Sequence, residues 1–93
     1  MLFAVMGFFK PGTDAIPPGL EPDINEHLGQ PLIPLKLAGP LKNREGQPVG
    51  VMVCLDAAGF DEAEAYLRES PFFKSKMYER VEVVEYSVEV GTL

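Results

Sequence analysis

Two short apolar runs, Leu2 to Phe9 and Val51 to Leu55, decide most of what this chain can become, because neither carries a charge on either side. Side chains alternate along a strand, so Leu2, Ala4, Met6 and Phe8 point one way while Phe3, Val5 and Phe9 point the other. In the second run Val51, Val53 and Leu55 share one side and Met52 and Cys54 the other. Strands that are apolar on both sides belong in the middle of a sheet whose two faces are both covered. Every other element has to be arranged so that this cover exists.

The remaining segments supply part of it. Lys10-Pro11-Gly12 closes the first strand, and Pro11 to Pro22, with Gly12, Pro17, Pro18 and Gly19, reads as a surface loop. Pro22 suits a first helical position, Asp23 and Glu26 suit an acidic first turn, and Ile24 and Leu28 lie one helical repeat apart, which predicts a short helix over 22–30. Pro31 and Pro34 end it. Leu35 to Ala38 reads as a second strand, joined through the turn-rich stretch Asn43 to Gly50 in a hairpin to Val51–Leu55. Asp61 and Glu62 open a second helix, Phe60, Ala63, Tyr66 and Leu67 form its apolar stripe, and Ser70-Pro71 ends it. After a turn at 72–77, Arg80 to Val90 reads as the last strand, with a bulge expected at Val83-Val84.

This order, βαββαβ, predicts an α+β ferredoxin-like sandwich: one domain over 1–93, a four-stranded antiparallel sheet with two helices on one face. Two helices cover only one face. The other is left with Met, Val and Phe side chains, and burying about 600 Å² per subunit at ~25 cal/mol/Å² would supply on the order of 15 kcal/mol before association costs. A symmetric homodimer, sheet against sheet, is therefore expected.

Composition narrows the function classes. With 46% hydrophobic and 24% charged residues the chain is too apolar for disorder. A formal net charge of -6 with eight Lys plus Arg disfavours nucleic acid as a partner. Met1 to Phe9 lacks a basic lead-in and is too short for an export signal or a membrane span, so no membrane role is expected. The lone Cys54 in an apolar run reads as a buried, inert thiol in a reducing cytoplasm. The acidic residues Asp56, Asp61, Glu62, Glu64 and Glu69 around the second helix do not force a ligand set, so no metal and no cofactor are expected.

The chemistry-bearing candidates are few. His27, the single histidine, falls beside the apolar stripe of the first helix, where an imidazole with an ordinary pKa near 6.5 could move a proton. Ser70 ends a helix, and no second histidine is present to activate it as a nucleophile. Met6, Phe8 and Met52 could line a ligand cavity, although strand residues of this kind usually serve a core or an interface.

The stretch Ala38-Gly39-Pro40-Leu41, then Gly46-x-Pro48-Val49-Gly50, Asp61-Glu62-Ala63, Ser70-Pro71-Phe72 and Val81-Glu82-Val83 resembles the YCII-related family of the dimeric α/β barrel superfamily. The resemblance covers residues 38 to 86 and implies a ferredoxin-like protomer that dimerises through its sheet. It also implies a site: His27-Leu28 matches a histidine-leucine pair common in the first helix of the family, and Ser70-Pro71-Phe72 stands where relatives carry Asp-Pro-Phe or Asp-Pro-Tyr. Relatives are suspected of using the histidine and the aspartate as an acid-base dyad. Serine cannot hold the charge that would orient an imidazole. The reading that follows is a small-molecule-binding YCII-like protein, non-catalytic or accessory, with a cofactor-independent isomerase or lyase using His27 as general acid and base as the alternative.

Overall fold

The computed structural model describes residues 1–12, 19–29 and 33–93. Its elements are β1 (Leu2–Phe9), α1 (Glu21–Gly29), β2 (Leu35–Lys42), β3 (Pro48–Asp56), α2 (Phe60–Arg68), a one-turn α3 (Pro71–Lys74) and β4 (Tyr78–Glu85). The strands form one antiparallel sheet in the order β2-β3-β1-β4, so the two strands that are apolar on both sides are the two central ones. This is the ferredoxin-like α+β arrangement.

Register decides which side chains meet. Phe3 lies opposite Leu55, Val5 opposite Val53 on one side and Val83 on the other, and Gly7 opposite Val51 and Val81. These residues face the helices: Phe3, Val5, Val53 and Leu55 pack with Ala57, Ala63, Tyr66 and Leu67 in one buried cluster, and Leu28 of α1 closes against it. α2 starts without a side-chain cap at Gly59 and carries Asp61 and Glu62 in its first turn, where negative charge favours the helix dipole. Pro71 stops α2 and occupies the first turn of α3, where its missing amide hydrogen costs nothing.

The opposite face carries Ala4, Met6 and Phe8 of β1, Met52 and Cys54 of β3, Leu37 of β2 and Val84 of β4. Leu37, Val84 and Tyr86 are exposed, and the Arg80 guanidinium lies 4.3 Å from the centroid of the Phe8 ring. No helix crosses this face among the described residues.

Several boundaries differ from the sequence reading. β2 runs through Gly39-Pro40 to Lys42, because β2 is an edge strand and an edge tolerates a proline that donates no ladder hydrogen bond. β4 begins at Tyr78 and ends at Glu85, short of Val90. Its partner β1 begins at Leu2, whose carbonyl accepts the Tyr86 amide at 3.0 Å, and beyond that point there is no strand left to pair with. The register break lies at Phe8/Phe9, with Arg80 and Tyr78 as the partners, and not at Val83-Val84. From Arg80 to Glu85, odd positions face the helices and even positions the open side, so ordinary alternation already separates Val83 from Val84; the register break lets Tyr78 face the helices as well. The turn expected over 72–77 overlaps α3, which begins one residue earlier at Pro71, and closes at Lys76, which takes a left-handed backbone with φ 58°. Residues 13–18 of the expected surface loop, and Pro31 among the expected helix breakers, lie outside the described residues.

Candidate functional site

A cavity of about 280 Å³ lies between the helices and the sheet. Its floor is Val5, Val51 and Val53, with Ala38 and Pro40 toward the β2 edge, and its roof is Ile24, His27 and Leu28 of α1 with Tyr66 and Leu67 of α2. Ser70, Pro71 and Phe72, where α2 gives way to α3, and Tyr78 at the start of β4 complete the lining. The lining is overwhelmingly apolar, interrupted by a few polar groups, which is the usual composition of a small-molecule site.

His27 forms the partition between this cavity and a more open groove of about 560 Å³, bordered by Asp23, Glu26, Glu69 and Lys74. Its ring stacks on Tyr66, centroid to centroid at 4.1 Å with planes 27° apart. The Tyr66 hydroxyl donates to the His27 carbonyl oxygen at a long 3.4 Å, tying α2 to α1. Nε2 of His27 is buried without a hydrogen-bond partner among the described residues, and an orphaned buried polar atom calls for an explanation. Burial lowers the pKa of this imidazole; the Glu69 carboxylate opposes the shift and the Lys74 ammonium adds to it. The net shift favours the neutral ring. Lys74 donates to Glu69 at 3.0 Å in an exposed ion pair.

The two phenols are held in their protonated form. Burial pushes Tyr66 up to about 12, with Tyr78 adding to the effect, and burial likewise pushes Tyr78 to about 12 against an opposing hydrogen bond with Ser70. Tyr78 is placed by packing on three sides. Its ring stacks on Phe9 with centroids 5.7 Å apart and leans on Phe72 at 5.9 Å. Beneath it lies Gly7, where a Cβ would run into the ring itself. Glycine is required there because another group occupies the space of its side chain.

The candidates read from the sequence divide between the two faces. His27 and Ser70 both line the cavity, and Ser70 is 7% exposed, with no side-chain cap hydrogen bond to the helix that follows it. Met6, Phe8 and Met52 point to the opposite, open face, and none of them lines this cavity. Cys54 is 3% exposed, and burial pushes its thiol up while Lys36 opposes the shift. Asp56 accepts a hydrogen bond from the Met1 ammonium at 2.8 Å, which is the main cause of its lowered pKa, and it does not line the cavity. No three His, Cys, Asp or Glu side chains converge to hold a metal ion among the described residues. No helix among them is long and apolar enough to cross a membrane. Tyr66 reads in sequence as plain helix stripe and Tyr78 falls between two elements, so both escape the sequence reading. The signal that could have found Tyr78 is Gly7, a glycine in mid-strand among large apolar neighbours.

No family model matches the chain, and no curated protein matches it. Among solved structures it is similar to the 5-chloro-2-hydroxyhydroquinone dehydrochlorinase of Burkholderia phenoliruptrix AC1100, determined in complex with 2,5-dihydroxybenzoquinone. The two superpose with a TM-score of 0.70 over 94% of each chain at 18% identity. The likeness is one of fold.

Proposed function

We propose that this chain is a small-molecule-binding protein whose ligand occupies the cavity between the helices and the sheet. The single observation that carries this reading is the buried Nε2 of His27, unpartnered among the described residues, in the wall of a largely apolar space. A ligand hydroxyl or carbonyl there would satisfy the orphaned atom while the valines of β1 and β3 cover its apolar body. The fold similarity to a dehydrochlorinase held with a dihydroxybenzoquinone agrees with a ring-shaped ligand. It also agrees with membership of the YCII-related family of the dimeric α/β barrel superfamily, in which this chain would be a non-catalytic or accessory member. No cofactor is needed for this role, and cytoplasmic residence suits it.

The open face supports a homodimer. Leu37, Met52, Met6, Phe8 and Val84 form an apolar layer that no helix covers among the described residues, and a second copy presenting the same layer would bury it. Sedimentation equilibrium at micromolar concentration is expected to give twice the chain mass. In such a pair Met6, Phe8 and Met52 are interface residues first, and line a cavity only where the two layers part.

A second reading is favoured by the state of His27. An imidazole whose neutral form is favoured, stacked on Tyr66 and facing a largely apolar space, is equipped to accept a proton from a small acidic molecule, as in an isomerase or a lyase that eliminates hydrogen halide. Against it stands Ser70, which supplies no charge to orient the ring. NMR separates the readings. A panel of small phenols and lactones is expected to perturb the ring signals of His27, Tyr66 and Tyr78 saturably without turnover, and solvent-deuterium incorporation or product formation that His27→Gln abolishes would favour the enzyme. A panel that moves none of these signals refutes both.

A further inference from the structure

The cavity and the groove outside it are charged in a one-sided way. Among the described residues no carboxylate, ammonium or guanidinium lines the cavity: its polar groups are His27, Tyr66, Ser70 and Tyr78, and burial favours the uncharged form of the imidazole and of both phenols. Tyr66 spends its hydroxyl hydrogen on the His27 carbonyl at 3.4 Å, and Ser70 lies beside Tyr78 and opposes the rise of its pKa. His27 Nε2 is left over. Outside, the groove that shares His27 and Tyr66 with the cavity is bordered by Asp23, Glu26 and Glu69 against Lys74, and Lys74 is already paired with Glu69. An anion approaching through this groove meets an excess of carboxylates and finds no cation inside. A cation finds no carboxylate among the described lining residues either.

We propose that the cavity selects an uncharged, ring-sized molecule bearing a hydroxyl group and rejects the carboxylate of the same shape. The inference rests on the cavity being the ligand site and adds the chemical class that the site accepts. A hydroxyl both donates and accepts, so it satisfies Nε2 whichever imidazole tautomer is present. A carboxylate would be taken from water into a space whose described lining returns no opposite charge, only neutral hydroxyl and imidazole groups, and burying a charge without a counter-charge is far more costly than burying a hydrogen-bonded hydroxyl. Size fits the same class: an apolar cavity of about 150 Å³ accommodates benzene, so about 280 Å³ accommodates a ring with small substituents. Ser70 keeps the lining neutral, because an aspartate at this buried position would place a charge in it.

Three probes of one shape test this with the full chain at pH 7: 4-methylphenol and 4-methylbenzamide, both neutral, and 4-methylbenzoate, an anion. Dissociation constants are read from the ring signals of His27 and Tyr78 by NMR. The expected result is saturable binding of the phenol, weaker but measurable binding of the amide, and binding of the benzoate at least about tenfold weaker than that of its amide isostere. Benzoate binding as tight as the amide overturns the charge selectivity while leaving the cavity as a ligand site. Binding of the amide with no binding of the phenol overturns the hydroxyl preference. Failure of all three to move either signal overturns the selectivity and the cavity reading together.

Discussion

Substituting Gly7 tests the packing that holds Tyr78 over the cavity. A Cβ on residue 7 would enter the Tyr78 ring, so Gly7→Ala has to push that ring aside. Overpacking of this kind costs about 1–3 kcal/mol, and the loss of the ring's contacts with Phe9 and Phe72 adds about 1 kcal/mol. Against this, alanine is intrinsically better than glycine in a strand interior by about 0.5–1 kcal/mol. The net expectation is a loss of about 2 kcal/mol. In a Tyr78→Val background no ring lies over residue 7, and the same substitution should become neutral or stabilise by about 0.5 kcal/mol. The sign therefore changes between backgrounds, with a coupling energy of about 2–3 kcal/mol. Equilibrium urea unfolding of the four proteins, followed by circular dichroism at one fixed protein concentration, measures it. An equal penalty for Gly7→Ala in both backgrounds would show that the ring does not rest on residue 7.

Other perturbations bear on the same site. Ser70→Asp puts a carboxylate into a buried position whose cavity holds no cation, and should destabilise by roughly 3 kcal/mol at pH 7 and by less near pH 3, where the carboxyl is protonated, as read from urea unfolding at the two pH values. Unchanged stability with a raised His27 pKa would show instead that the new carboxylate reaches the imidazole. Because burial lowers the His27 pKa in the folded state, the unfolded chain binds more protons as pH falls through 6.5 toward the folded value, and stability declines over that window. The stability of the wild type relative to His27→Gln should therefore be constant above pH 7.5 and fall on acidification, and a difference that rises on acidification would contradict the placement of the ring. Cys54, 3% exposed with its pKa raised by burial, should react with a thiol reagent slowly in buffer and rapidly in urea; rapid reaction in buffer would contradict its burial.

Much of the fold is legible because its determinants are local. Alternation in Leu2–Phe9 and Val51–Leu55 sorts the two faces of β1 and β3 as the structure has them, and Pro22 with Asp23 and Glu26 marks the start of a short helix within a residue. Boundaries set by a neighbour were not legible: β4 stops at Glu85 because β1 has run out, although Val88 and Val90 continue the apolar alternation. The candidate site was half legible. His27 stands out as the single histidine and Ser70 by its position before Pro71, whereas Met6, Phe8 and Met52 were drawn from the face that does not line the cavity.

The order of residues by itself determined the element types, the two-sided apolar character of the central strands and the acidic balance of the surface, since each depends on spacing of a few residues or on simple counting. Only the tertiary structure decided that His27 stacks on Tyr66, that Tyr78 fills the space above Gly7 and that Ser70 and Tyr78 line one cavity with His27. Two of these contacts join residues 39 and 71 positions apart, and no periodicity carries information over such distances. They exist because strand order and helix packing bring remote segments to one place.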